Sequence, residues 1–387
     1  MSAPHTTATD YSVVIPTVGR PCLADCLATL GSSIGPEPRE IVIVDDRPQP
    51  EPLREGLPLE ELGPLRERAT VVQTGGLGPA GARNVGWRLV TAPWVAFLDD
   101  DVRVGARWRE SLARDLAEAD PTVAGVQGVL DVPLSTGRRP TDWERNTAGL
   151  ARAQWATADM AYRTEALKAV DGFDERFPRA FREDADLALR MLEDGWRIRR
   201  GSRLTTHPVR PADRWVSLRT QRGNADDALM LRLHGPTWWR RAAAPRGRIR
   251  RHAAVTAAGV SALVLAVAGR RRAAAVAGAG WLLGTAEFAW ARIAPGPRTR
   301  EEVTTMVATS ALIPPLAVYH RLAGTLRHRG AAPWNGAGAT AVGPGADGEG
   351  GGAASGSGAD ADAGDGVGAG AANGSGAEGP AGRDGRA

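Results

Sequence analysis

Cysteine and lysine are almost missing from this sequence of 387 residues, which has two cysteines, Cys22 and Cys26, and one lysine, Lys168. Two thiols four positions apart cannot build a disulfide framework, and no Cys/His group has zinc-site spacing. A scaffold stapled by disulfides or zinc is excluded. No basic-then-apolar leader is read at the start of the sequence, and the first domain is expected to stay in the cytoplasm. Large apolar side chains are scarce in Gly330–Ala387, which holds 20 of the 48 glycines. Such a stretch cannot bury enough surface to offset its ordering entropy, and 330–387 is expected to be a disordered tail. Residues 1–10 are expected to be a flexible N-terminus.

What remains is ordinary globular composition, 43% hydrophobic and 24% charged. Collagen, a coiled-coil rod and a fully disordered chain are ruled out. The net charge of +4 hides an uneven division, because the tail carries seven acids against Arg383 and Arg386. The first 329 residues are therefore basic, almost entirely through arginine, which suits an anionic partner. No helix-turn-helix or finger pattern accompanies that charge, so nucleic acid is not expected to be the partner.

Short apolar strands alternate with helical spacing along the first half. Strands are predicted at Tyr11–Pro16, Glu40–Val44, Thr70–Gln73, Trp94–Leu98 and Val123–Val132. Helices are predicted at Leu23–Leu30, Gly81–Val90 and Arg107 to about Ala119. A further helix opens with Arg182-Glu183-Asp184 and runs through Glu193, and Gly195 stops it before a strand at Trp196–Arg199. This alternation predicts an α/β fold with a mostly parallel sheet flanked by helices. In such sheets ligands bind beyond the carboxyl ends of the strands. That edge receives Pro16-Thr17, Asp45-Asp46 and Asp99-Asp100-Asp101.

Composition changes near residue 236. Trp238-Trp239 and six arginines precede uncharged runs, with candidate membrane segments at 253–269, 273–291 and 303–319. Each is at the short end for a bilayer span and rich in Ala and Gly. Four arrangements stay open: a spanning hairpin, three spans, helices lying in the interface, and Ala-rich helices packed on the preceding domain. The arginine excess places the preceding domain on the cytoplasmic side of a cell membrane. The expected organisation is a catalytic domain over 11–236, a membrane-associated helical region over 237–329, and the tail.

Six motifs occur in an order that resembles glycosyltransferase family 2. They are Ser12-Val-Val-Ile-Pro16-Thr17, Val44-Asp45-Asp46, Gly78-Pro-Ala-Gly81-Ala-Arg83-Asn84-Val-Gly86, Phe97-Leu98-Asp99-Asp100-Asp101, Gly172-Phe-Asp-Glu and Arg182-Glu183-Asp184-Ala-Asp186. The resemblance spans roughly Tyr11 to His207. It implies a GT-A fold and transfer of a sugar, with inversion, from a nucleotide diphosphate donor to a hydroxyl acceptor.

The chemistry of these residues runs in the same direction. Three adjacent carboxylates repel one another unless a divalent cation sits among them, and hard oxygen ligands suit Mg2+ or Mn2+. By the resemblance, Asp99 lies near ribose or metal, Asp101 is the preferred direct ligand, and His207 sits where some GT-A enzymes place another. Asp100 belongs to the same donor-binding run. Pro16, Thr17, Asp46, Arg83 and Asn84 are the other expected donor-binding residues, Asp46 toward the base. Inverting transfer needs a general base, and a partly desolvated carboxylate at a helix start suits that task. Glu183-Asp184 matches the family's acidic pair, with Asp184 as base, and Asp174 falls on the acceptor side.

Gln-x-x-Arg-Trp does not occur, which argues against a processive polymerase. The hydrophobic runs suggest a lipid-linked or cell-envelope glycan as acceptor. A nucleotidyltransferase on a related sheet and a catalytically degenerate membrane scaffold are the competing readings.

Overall fold

The computed structural model describes residues 9–48 and 56–336. The N-terminal residues before Thr9 and the Gly/Ala-rich tail beyond Gly336 lie outside them. In chain order the elements are β1 (Tyr11–Thr17), α1 (Leu23–Ser32), β2 (Ile41–Asp45), β3 (Ala69–Gln73), α2 (Gly78–Leu89), β4 (Trp94–Leu98) and β5 (Arg103–Val104). Then come α3 (Trp108–Ala117), β6 (Val123–Asp131), α4 (Asp142–Ala148), β7 (Asp159–Arg163), α5 (Thr164–Ala169), α6 (Glu183–Glu193) and β8 (Arg197–Thr206). Six helices follow: α7 (Val216–Arg219), α8 (Gly223–His234), α9 (Trp238–Arg241), α10 (Ile249–Val267), α11 (Arg271–Ile293) and α12 (Arg300–Arg327). A 3₁₀ stretch at Leu59–Arg68, which the sequence did not suggest, buries Leu59, Leu62 and Leu65.

The described residues fall into two compact units, one of 9–48, 56–131, 155–207 and 332–336, the other of 132–154 and 208–331. The second unit thus begins earlier than residue 236 and draws in an insertion between β6 and β7.

The first unit is an eight-stranded sheet in the order β3-β2-β1-β4-β7-β6-β8-β5. β3, β2, β1 and β4 are parallel, and β2 and β4 are buried along their whole length, as near-continuous apolar runs such as Ile41-Val-Ile-Val44 require. β7 is antiparallel to both β4 and β6, and β8 is parallel to β6. Two reversals restore direction, so β6 and β8 run the same way as β4. The carboxyl ends of β1, β2, β4, β6 and β8 therefore share one edge. This is the α/β, mostly parallel architecture expected from the alternation of strands and helices.

Helix α2 lies close against the sheet because Gly86 has no side chain. A Cβ there would meet Val14 Cγ1 at 2.4 Å. On the far side of the strand series, Arg203 is fully buried and paired with Asp159 (2.7 Å) and Asp115 (3.2 Å). Asp159 also accepts from Trp108 Nε1 and Thr205 Oγ1, so this buried charge set is hydrogen-bonded on several sides and ties α3, β7 and β8 together.

The second unit is helical among its described residues. Its insertion is held by Arg292 of α11, whose guanidinium bonds Asp142 Oδ2 at 2.7 Å, Thr309 Oγ1 at 2.8 Å and Ser310 Oγ at 3.1 Å. The candidate membrane segments fall within α10, α11 and α12. Among the described residues no helix is long and apolar enough to cross a membrane, which removes the spanning arrangements. The physical reason is in the side chains: Ala and Gly contribute little transfer energy, and Arg270–Arg272 separate α10 from α11.

Candidate active site

Strand register explains how residues far apart in sequence reach one place. Thr17 of β1 lies beside Asp45 of β2, and Val14 beside Phe97 of β4, so the ends of three strands align. Consistent with that offset, Thr17 Oγ1 donates to Asp100 Oδ2 at 2.6 Å. Arg20 Nη1 donates to the other oxygen of Asp100 at 2.9 Å, and Asp100 is buried. Asp100 is therefore turned toward the loop after β1.

Asp99 and Asp101 turn elsewhere. β5 pairs antiparallel with β8 so that Arg103 faces Thr206, which brings Asp101, two residues before Arg103, against His207, the residue after Thr206. His207 Nε2 lies 3.4 Å from Asp101 Oδ1, and the His207 amide donates to Asp131 O at 2.7 Å. One ligand atom from each of Asp99, Asp101 and His207 lies within 4.8 Å of the others. Two carboxylate oxygens and an imidazole nitrogen at that spacing fit a divalent cation of the Mg2+ or Mn2+ kind, with His favouring the latter.

Arg83 links this cluster to α6. It is buried in α2, with Nη2 2.8 Å from Asp99 Oδ1 and Nη1 2.9 Å from Glu183 Oε1, and it lies over the Phe173 ring. Arg83 Nε, Glu183 Oε2 and the Tyr162 hydroxyl are buried without hydrogen-bond partners among the described residues. Helix α6 begins after Arg182, whose φ of 78° is left-handed, an unfavourable conformation for a side chain of this size. That turn aims Glu183 inward and sets Asp184 beside it, where its carboxylate accepts from the Ala185 amide at 2.7 Å.

Burial pushes the Glu183 carboxyl well above the usual carboxylate range; the neighbouring Asp184 charge adds to this and Arg83 partly offsets it. Asp184 keeps an open edge, yet the protein around it withholds water and raises its pKa too, against the hydrogen bond from Ala185 and the charges of Arg83 and Arg182. Asp186 is on a different face. It is fully buried and paired with Arg190 at 2.8 Å, and Arg190 also binds the carbonyls of Val170 and Gly172.

Three expected binding residues, Asp46 and Asn84 for the donor and Asp174 on the acceptor side, have polar atoms engaged within the protein. Asp46 is capped by the glycine-rich loop: Oδ1 accepts from Thr74 Oγ1 (2.6 Å), Gly76 N (3.0 Å) and Leu77 N (2.7 Å), and Oδ2 from Gly78 N (2.8 Å). Gly76 and Gly78 have φ of 91° and 83°, which lets successive amides turn onto one carboxylate. Asn84 bridges α2 to the Gly172 turn through three bonds, to Phe173 O, Glu175 Oε1 and Phe173 N, and accepts a fourth from Trp87 Nε1 within α2. Gly172 must be glycine there, since a Cβ would lie 2.5 Å from Asn84 Oδ1. Asp174 forms a two-pronged pair with Arg176 at 2.6–3.0 Å. Pro16 is partly exposed beside Thr17.

The structure thus links Asp99, Asp101, His207, Arg83, Glu183 and Asp184 through short contacts, with Asp100 turned to Thr17. Two members escaped sequence reasoning. Tyr162 interacts electrostatically with Asp184 from β7, and no motif marks it. Arg20 neutralises Asp100, and its signal was a lone cation placed after β1 beside an acidic strand end.

Comparison with known proteins bears on the same region. The chain is 36% identical over 136 residues to the pre-mycofactocin glycosyltransferase of Mycobacterium tuberculosis (strain CDC 1551 / Oshkosh), 32% of this chain and 28% of that protein. The protein of the same name from strain ATCC 25618 / H37Rv gives the same values. The chain therefore spans under a third of the length of these relatives. Among solved structures, a mannosyltransferase, PcManGT from Pyrobaculum calidifontis in complex with GDP-Man and Mn2+, aligns with a TM-score of 0.44 and 19% identity, over 81% of this chain and 86% of that one. S. aureus TarS aligns with a TM-score of 0.36 and 18% identity, over 58% and 41%. Residues 12–177 match the sequence model of Glycosyl transferase family 2, a span that holds the site residues named above except Arg182, Glu183, Asp184, Asp186, Arg190 and His207.

Proposed function

We propose that the chain is an inverting glycosyltransferase that moves a hexosyl group from a nucleoside diphosphate sugar to a hydroxyl acceptor, one sugar at a time. The observation that carries this reading is the buried Arg83, which joins Asp99 of the acidic run to Glu183 at the start of α6. It holds a cation-binding cluster and a candidate base in one crevice. The match of residues 12–177 to the family and the named relatives support the same class of activity.

Asp99, Asp101 and His207 are the residues that would hold Mg2+ or Mn2+. When bound, the cation neutralises charge on the diphosphate leaving group. Asp184 accepts the proton of the acceptor hydroxyl as that oxygen attacks the anomeric carbon, and the bond to the diphosphate oxygen breaks on the opposite face. Its raised pKa makes it a stronger base than an exposed aspartate while leaving it ionised at the upper side of neutral pH. Glu183 is raised as well, by burial and by the neighbouring Asp184 charge, and its pair with Arg83 holds it in place beside the base. Arg83 and the Asn84 bridge keep α2, the Gly172 turn and α6 in fixed register, which limits reorganisation as the reaction proceeds. The acceptor is a lipid-linked or cell-envelope glycan, and the enzyme works on the cytoplasmic side of the cell membrane.

A panel of nucleoside diphosphate sugars with membrane extract as acceptor, read by release of free nucleoside diphosphate, tests the proposal. Mn2+-dependent release that disappears in Asp184→Asn supports it. Release of pyrophosphate instead would point to nucleotidyl transfer, and no release with any donor would leave a non-catalytic scaffold.

A further inference from the structure

From Ala253 to Glu287, across most of α10 and most of α11, no residue is buried. The two helices nonetheless pack closely on each other. A Cβ on Gly259 would meet Trp281 Cδ1 at 2.8 Å, and one on Gly284 would meet Val255 Cγ2 at 2.5 Å. Helix α12 packs on both. The inner faces are thus satisfied, and the outward faces carry the apolar surplus.

On α10 that surplus is ordered. Val260, Leu263, Val264 and Val267 recur at the spacing of one helix face and are 56%, 70%, 61% and 91% exposed. On α11, Val276, Leu283 and Trp290 repeat every seventh position and are 75%, 72% and 62% exposed. Exposed apolar rows of this length mark an interaction site.

Charge selects the occupant. Thr237–Ala286 contains nine arginines and no acid. Three of them, Arg270–Arg272, form the exposed turn joining α10 to α11, directly beyond Val267. The next acid, Glu287, is already engaged by Arg248 and Arg251. A second copy docked through this face about a two-fold axis would bring arginines against arginines with no acid to meet them. An anionic lipid surface offers both an apolar layer and a dense sheet of negative charge above it.

We infer that the α10–α11 hairpin docks the protein on an anionic bilayer, its apolar stripe entering the headgroup–acyl boundary and Arg270–Arg272 lying among the lipid phosphates. This mode needs no helix to cross the membrane. It is independent of catalysis, so its failure and the failure of the proposed activity are separately visible.

Co-sedimentation of the full chain with vesicles tests it. Vesicles of phosphatidylcholine alone are compared with vesicles containing a quarter phosphatidylglycerol. The wild type is expected to bind the anionic vesicles and to bind the neutral ones far more weakly. Leu263→Asp with Val267→Asp is expected to weaken binding at least about tenfold while the melting temperature holds, because both positions are exposed. Arg270→Ala, Arg271→Ala and Arg272→Ala together are expected to weaken it about a hundredfold and erase the preference for anionic lipid. Absence of wild-type binding overturns the inference, as does unchanged binding by both variants. A dimer in light scattering that the aspartate pair dissociates also overturns it, since a second copy would then cover this face.

Discussion

Arg83 and Glu183, a hundred positions apart, form an ion pair of 2.9 Å in which both side chains are only 2% exposed. The guanidinium is shared with Asp99 at 2.8 Å, so a single cation faces two carboxylates, one from each half of the site. Removing it leaves both without compensation. Arg83→Met is expected to destabilise the protein by about 3–5 kcal/mol in urea unfolding and to abolish transfer. Arg83→Lys retains charge but has one ammonium instead of a planar fork, and is expected to recover part of the stability and little of the activity.

The cation cluster yields an experiment that does not depend on turnover. Asp101→Asn and His207→Ala each remove one of the three candidate ligands. Both are expected to weaken Mn2+ binding, measured by titration in the presence of a nucleoside diphosphate, at least about tenfold. Asp100→Asn is expected to leave Mn2+ affinity nearly unchanged, because that carboxylate is directed to Thr17 and Arg20. Equal losses in all three variants would mean that the acidic run acts only through its summed charge.

Asp46 is expected to act through the loop that it organises. Asp46→Ala strands the amides of Gly76, Leu77 and Gly78 and the Thr74 hydroxyl. Loss of a charged acceptor shared by these donors is expected to destabilise by at least about 2 kcal/mol in urea unfolding. The kinetic signature is a raised KM for the donor with a smaller change in kcat. A variant with wild-type stability and a selective loss of base discrimination would restore a direct contact between Asp46 and the donor.

What could be read from the sequence follows the range of the interactions. The strand ends at Thr17, Asp45 and Asp99 were legible because apolar runs stopped by polar residues fix both element and edge. The meeting of Asp101 with His207 was only half legible, since it depends on a two-residue strand, Arg103–Val104, too short to leave a pattern. The engagement of Asp46 and Asn84 was hidden, because it rests on glycines with positive φ and on bonds across 28 to 91 positions. The grouping of 132–154 with the second unit was hidden for the same reason. Nothing in 132–154 announces that Asp142 pairs with Arg292, 150 positions away. Hydropathy marked the helices α10–α12 correctly, but it could not tell an exposed Ala-rich surface from a span.

The pH dependence of transfer follows from Asp184. Its pKa is raised in the folded protein, chiefly by burial, so it is protonated over a window above the usual carboxylate range in which an exposed aspartate would already be ionised. The protonated form cannot accept the acceptor's proton. Transfer is therefore expected to fall as pH drops through that window, with the acid limb of kcat displaced toward neutrality by comparison with an exposed aspartate. Glu183→Gln removes the neighbouring carboxyl that couples to it, and is expected to move the limb toward lower pH while Arg83 keeps its pair with Asp99.

Stability carries a separate acid-side dependence through His252 in the second unit. The ring is buried edge-on to Phe288 at 4.8 Å. Burial lowers its pKa to about 4; the nearby positive charges of Arg248 and Arg292 act in the same direction, and Glu287 acts against them. The folded state therefore holds a neutral ring where the unfolded chain, with the ordinary histidine value of 6.5, takes up a proton. Between those values the unfolded chain binds more protons, so stability falls as pH falls from 6.5 toward 4. The loss attributable to this ring is at most about 3 kcal/mol. His252→Gln cannot titrate, so the stability gap between wild type and variant, measured by urea unfolding, is expected to narrow on acidification from neutral pH. A gap that stays constant across that range would assign the acid sensitivity to other groups.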